Sequence, residues 1–142
     1  WGIVEDYIKG LGYNIIQVGK RNNNNRIGMY FNTSQKQMLM YLLAGAEAVI
    51  GIDSGVAQLA VALRKKVCII TGSVDLKLRY QNFDKIEIIK SPCLSIENEY
   101  CYHNEKLSVN GKDCVYDINL PPCTIINSID IINVFSKLVE KK

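Results

Sequence analysis

Residues 48–63 read Ala-Val-Ile-Gly-Ile-Asp-Ser-Gly-Val-Ala-Gln-Leu-Ala-Val-Ala-Leu, and no other stretch limits the fold as much. An apolar run of strand length meets an acidic–hydroxyl–glycine turn, and an apolar run of helical length follows. A strand that is apolar on both faces belongs in a parallel sheet covered by helices on each side. A helix that opens at such a turn carries unpaired N–H groups and about half a positive charge at its start, which suits an anion. Asp53 can hold a hydroxyl or fix the turn, Ser54 adds a hydroxyl, and Gly55 lets the backbone approach a ligand closely. Taken alone, these three residues describe an ordinary Asp/Ser-capped helix more readily than a site. The neighbouring segments change that balance.

Upstream, Trp1, Val4 and Ile8 recur at helical spacing over residues 1–9, and Gly10 and Gly12 end the run. Residues 13–18 read as a short buried strand stopped by Gly19. The run 20–26, Lys-Arg-Asn-Asn-Asn-Asn-Arg, contains no packing material and is expected to be a surface loop. Residues 27–31 suit a second short strand. Asn32, Thr33 and Ser34 offer helix caps, and Gln37 stands three residues after Ser34 as in a capping box. The predicted helix places Leu39 and Leu43 on one face, with Met38 and Leu42 beside them, and reaches Gly45. After the opening strand and helix, residues 66–71 form another buried strand ending at Gly72 and Ser73. Residues 85–89 look like a final strand. Residues 91–123 show no clear periodicity. Ser128 is expected to cap a terminal helix with Ile131, Phe135 and Leu138 on its apolar face.

Strands alternating with helices through short connections predict an α/β fold: a Rossmann-like parallel sheet flanked by helices. Ligands of such sheets gather at the carboxyl ends of the strands. Three loops should converge there, at Gly19, at residues 53–55 and at residues 71–73, all rich in small or polar residues suited to a phosphate-bearing ligand. With 142 residues the chain has the size of one domain, and 48% hydrophobic and 22% charged residues are ordinary for a globular protein. A net charge of +3 is too weak to imply nucleic acid. No apolar run approaches the roughly 18 residues of a membrane span, and no charged-then-apolar leader opens the sequence. Trp1 starts what looks like an established helix, so the chain is expected to be a fragment of a longer protein. The sequence contains no Gly-rich dinucleotide fingerprint, Walker motif or Gly-x-Ser-x-Gly elbow.

The ordered series 42–46 (Leu-Leu-Ala-Gly-Ala), 49–55 (Val-Ile-Gly-Ile-Asp-Ser-Gly), 58–63 (Gln-Leu-Ala-Val-Ala-Leu) and 67–73 (Val-Cys-Ile-Ile-Thr-Gly-Ser) resembles glycosyltransferase family 9, the ADP-heptose heptosyltransferases and their relatives. The resemblance covers the whole chain and is strongest over residues 38–73. It implies the C-terminal, donor-binding half of a GT-B enzyme, a two-domain fold with a cleft between two Rossmann-like halves. The acceptor and the catalytic base would belong to the other half, so no catalytic residue is expected in this chain. The donor-binding residues it implies are Asp53, Ser54, Gly55, Val56, Ala57 and Gln58, with Thr33, Gly19 and Gly72. The implied reaction moves a sugar from an ADP-heptose-like nucleotide-sugar to a cell-surface glycan or lipopolysaccharide-type acceptor. The implied location is cytoplasmic, at the inner membrane face. The chain departs from the family where Gln58 replaces a common histidine. It departs again where the asparagine run at 22–25 stands in place of an acidic ribose contact. These departures suit a second reading, a nucleotide-binding or interaction module without catalysis.

The sequence holds five cysteines. Cys68 sits in an apolar strand and reads as a small core residue. Cys93, Cys101, Cys114 and Cys123, with His103 nearby, lack the tight spacing of a zinc knuckle. Free thiols are the leading expectation, and a structural Zn or Fe site at this cluster, then an oxidised pair or pairs, are the alternatives weighed against it. No cofactor is expected for the chemistry itself.

Overall fold

The computed structural model describes residues 1–19, 27–72, 74–90, 108–109, 113–114, 123 and 125–140. Its order is α1 (Gly2–Gly10), β1 (Ile16–Gly19), β2 (Met29–Asn32), α2 (Lys36–Gly45), β3 (Ala48–Ile52), α3 (Gly55–Ala62), β4 (Lys66–Ile70), α4 (Lys77–Tyr80), β5 (Ile86–Ile89), β6 (Ser108–Val109), β7 (Asp113–Cys114) and α5 (Ser128–Glu140). Two parallel ladders form, β1–β2 and β3–β4–β5, and a short antiparallel pair joins β6 to β7. The protein is α/β, with small parallel sheets flanked by helices, as the alternation of the sequence predicts.

The layering follows from the period-two alternation of strand side chains. In β4, Val67 and Ile69 join a core with Leu43 of α2 and with Ala57, Ala60 and Val61 of α3. The alternate residues Cys68 and Ile70 join the opposite core with Val4 and Ile8 of α1 and Ile131, Phe135 and Leu138 of α5. β4 is buried on both faces, which is why its sequence is apolar without alternation. Burying one such aliphatic side chain contributes about 1.5–3 kcal/mol. Tyr13 and Ile15, just before β1, pack on the α1–α5 core, so both parallel ladders share it. The Tyr13 ring meets Phe135 edge-on at 6.0 Å between centroids. Tyr7 donates a 2.7 Å hydrogen bond to Ser136 Oγ, which in turn donates to the Ile132 carbonyl and ties α1 to α5.

Two helix ends show opposite solutions to one problem. α1 closes with Gly12 in the left-handed region (φ 85°), its N–H on the Lys9 carbonyl and that of Tyr13 on the Ile8 carbonyl. This is the Schellman arrangement, and Gly12 is the residue it favours. α3 closes in the same way, with Arg64 N–H on Val61 and Lys65 N–H on Ala60, yet the left-handed position (φ 56°) is held by Arg64.

Several expected boundaries shift. β1 begins at Ile16 rather than at 13, and β2 runs two residues later than expected at its start. The capping box at Ser34 and Gln37 does not form: α2 starts at Lys36, too late for Ser34 to be its cap, and Asn32 Oδ1 instead accepts the Ser34 N–H at 3.0 Å. Ser128 is the first residue of α5 rather than its cap. Asn127 caps it, Oδ1 accepting the Ile129 N–H at 3.0 Å. α4 and the β6–β7 pair went unread in the sequence. The asparagine run at 20–26, Ser73, Cys93, Cys101 and His103 lie outside the described residues.

Candidate functional site

β3 and β4 run parallel in register, Ile52 opposite Ile70, so the residues that follow them emerge side by side at one edge. Asp53 and Ser54 leave β3, and Thr71 and Gly72 leave β4. Ser54 is the N-cap of α3 with extended backbone (φ −155°, ψ 170°), and its carbonyl accepts the first helical hydrogen bond, from Gln58 N–H at 3.0 Å. Its hydroxyl makes no capping bond. The first-turn N–H groups of Gly55, Val56 and Ala57 have no acceptor within the helix. Gly55 is exposed, and a Cβ added there would meet nothing within 4 Å. Ala57 is buried against the sheet, whereas Gln58 is exposed.

A cleft of about 580 Å³ opens over this edge. Its floor and walls come from Ile52 and Asp53 after β3, Ile70, Thr71 and Gly72 after β4, and Val74 and Leu76 beyond. Trp1 stands at the start of α1, and Cys123, Ile126, Ser128 and Ile131 surround the start of α5. The volume is within the roughly 300–1,000 Å³ typical of small-molecule sites, and the lining joins an apolar majority to a few polar groups. Its position at the carboxyl ends of parallel strands is where α/β sheets hold ligands. The starts of α1 and α5 face it, and α3 starts beside it.

The most constrained polar group is Asp53. Arg79 donates to Oδ2 at 2.5 Å and the Tyr80 hydroxyl donates to Oδ1 at 2.9 Å. Both donors lie on α4, whose start is set by Asp75 Oδ1 accepting the Lys77 N–H at 2.8 Å. The Asp53 side chain is 19% exposed and that of Arg79 48%. Hydrogen bonding to Asp53 holds the Arg79 guanidinium even further above neutrality than usual. Burial pushes the Tyr80 phenol up, and its bond to the Asp53 carboxylate pushes it further. Asp53 therefore fastens the turn to α4 rather than to the turn's own N–H groups.

Of the residues expected to bind a donor, Asp53 and Gly72 line the cleft. Ser54, Gly55, Val56, Ala57 and Gln58 begin the adjoining helix at the same sheet edge without lining it. Gly19 and Thr33 form a separate pair: the Gly19 carbonyl accepts the Thr33 N–H at 2.8 Å and the Tyr30 hydroxyl at 3.2 Å, closing the end of the β1–β2 ladder. No sequence signal marks Arg79 and Tyr80, because a four-residue helix shows no periodicity and their partner lies 26 and 27 residues upstream. Nor did it point to Trp1 as a cleft wall.

The Zn or Fe site weighed for the cysteine cluster is not supported. Among the described residues, no group of three or more His, Cys, Asp or Glu side chains could hold a metal ion. Cys123 instead borders the cleft and Cys114 falls in β7, while Cys93 and Cys101 lie outside the described residues. Cys68 is fully buried in β4, and burial pushes its thiol up to about 12, which leaves an inert core residue. Among the described residues no helix is long and apolar enough to cross a membrane.

No protein-family model, curated protein or solved structure matches this chain.

Proposed function

We propose that this chain is the nucleotide-sugar-binding half of a glycosyltransferase resembling the heptosyltransferases. The observation that carries the reading is the cleft of about 580 Å³ at the carboxyl ends of β3 and β4, adjoined by the Asp53–Ser54–Gly55 turn and the start of α3. In sugar transfer, negative charge builds on the departing nucleoside diphosphate. N–H groups of Gly55, Val56 and Ala57 and the Ser54 hydroxyl are the groups suited to receive that charge, since they are fixed before the reaction and need no reorganisation. The apolar walls, Trp1, Ile52 and Val74 among them, suit the less polar part of the ligand. The acceptor, a glycan or lipid-linked sugar, and the catalytic base belong to another half on this reading. The parent reaction would then take place in the cytoplasm, at the inner membrane face, and the present chain alone would be inactive.

A second reading, a nucleotide-binding module without catalysis, is favoured by the exposed Gln58, which cannot carry a proton as the histidine common in the resembling family can. Titration calorimetry with ADP and with adenosine tests the shared claim. Diphosphate-dependent binding supports it, and equal or absent binding of the two overturns it. Nucleotide-sugar hydrolysis or transfer by the complete parent protein then separates enzyme from module.

A further inference from the structure

Among the described residues lining the cleft Asp53 is the one carboxylate, and on the nucleotide-sugar reading it stands near an anionic ligand. Uncompensated, Asp53 would repel phosphate and would turn freely. Neither is so: Arg79 engages Oδ2 and Tyr80 engages Oδ1. Each carboxylate oxygen has about two acceptor positions, so its partner among the described residues leaves one for a ligand. Tyr80 is buried, whereas Arg79 is half exposed and brings a full positive charge.

We propose that Arg79 and Tyr80 are positioning residues for Asp53, holding its carboxylate at the cleft as an oriented acceptor for a sugar hydroxyl and offsetting its charge against the ligand's diphosphate. The inference rests on the nucleotide-sugar reading of the cleft. Arg79 and Tyr80 touch Asp53 rather than the ligand, and their effect passes through it. The division of labour is specific. Loss of Tyr80 frees the carboxylate to rotate, and loss of Arg79 both frees it and leaves its charge exposed to the phosphates.

The test has one arm without ligand and one with it. With carbon-13-labelled tyrosine, NMR titration should show the Tyr80 phenol ionising above the ordinary tyrosine range. Asp53→Asn should bring it down, and Arg79→Gln should push it up, because the guanidinium favours the phenolate. A Tyr80 resonance indifferent to both substitutions would overturn the cluster. The ligand arm uses calorimetry with ADP and ADP-glucose as probes on the full chain. Arg79→Gln and Tyr80→Phe should each cut the advantage of ADP-glucose over ADP about tenfold, the scale of one charged hydrogen bond. Arg79→Gln should also weaken ADP itself, and Arg79→Lys should restore part of that loss but not the orientation of a forked donor. An unchanged ratio in both variants, with wild type binding both probes, overturns the positioning role alone. A wild-type chain that binds neither probe overturns the nucleotide-sugar reading and the positioning role together. Far-UV circular dichroism of each variant identifies any that fails to fold, and Arg79→Lys, the smallest change, keeps the comparison open in that event.

Discussion

Gly28→Ala should be among the most damaging single-methyl additions in the chain. Gly28 sits in the left-handed region (φ 59°) just before β2, and an added Cβ would lie 2.2 Å from the backbone oxygen of Ile15. No rotamer relieves that contact, because both atoms are fixed to backbone; the strands must part by about 1 Å to restore an ordinary distance. Parting them strains the 3.0 Å bond from Met29 N–H to the Ile15 carbonyl, next to the Ile16–Met29 register that starts the β1–β2 ladder. The left-handed conformation costs an alanine about 1–2 kcal/mol, and a weakened ladder hydrogen bond adds about 1 kcal/mol. The total is about 2–3 kcal/mol, or a fall of roughly 10 °C in Tm for a chain of this size. Thermal and urea unfolding followed by circular dichroism measure it. Gly10→Ala is the control, since Gly10 is helical and its Cβ would meet nothing within 4 Å; it should be neutral or stabilising by a few tenths of a kcal/mol. A Gly28→Ala variant within about 0.5 kcal/mol of wild type would refute the placement of β2 beside β1 that this reasoning uses.

Arg64→Gly should raise stability by about 1 kcal/mol, because it removes the left-handed strain from the α3 Schellman cap at an exposed position; differential scanning calorimetry reads the gain. Alkylation of native protein at pH 8 should leave Cys68 unmodified by peptide mass spectrometry, while denatured protein is modified there, since the thiol is buried and titrates near 12. Alkaline pH should destabilise the fold. Cys68 binds its proton more tightly folded than unfolded, so its contribution is whole below about 9 and is lost as pH rises toward 12; Tyr80 acts with the same sign from about 10 upward. Cys68→Ala should flatten the first part of that decline in urea titrations at successive pH values.

The sheet was legible because its strands are apolar on both faces: the run 66–70 has no reading other than a buried strand, and the turn at 53–55 locates the start of α3. Caps were less legible, since Ser34 and Ser128 carry the right chemistry but each lies off the true N-cap by a residue, and Gln35 and Asn127 take those positions instead. The partners of Asp53 were not legible at all. Arg79 and Tyr80 reach it only because β3 and β4 lie in register and α4 folds back over their ends, and no local pattern encodes that approach. The pairing of Gly19 with Thr33 shows another long-range contact the sequence did not signal: the Thr33 N–H closes the β1–β2 pair on the Gly19 carbonyl.

The central claim, that the turn beginning α3 receives the diphosphate of a nucleotide-sugar, is tested most directly by calorimetric titration of ADP into wild-type chain and Gly55→Val. A Cβ added at Gly55 meets nothing within 4 Å, so the valine is placed where a ligand would approach the first-turn N–H groups. The account predicts ADP binding by wild type and at least a tenfold loss in Gly55→Val, with unchanged circular dichroism. Equal affinity in the two proteins, or no ADP binding by wild type, would contradict it.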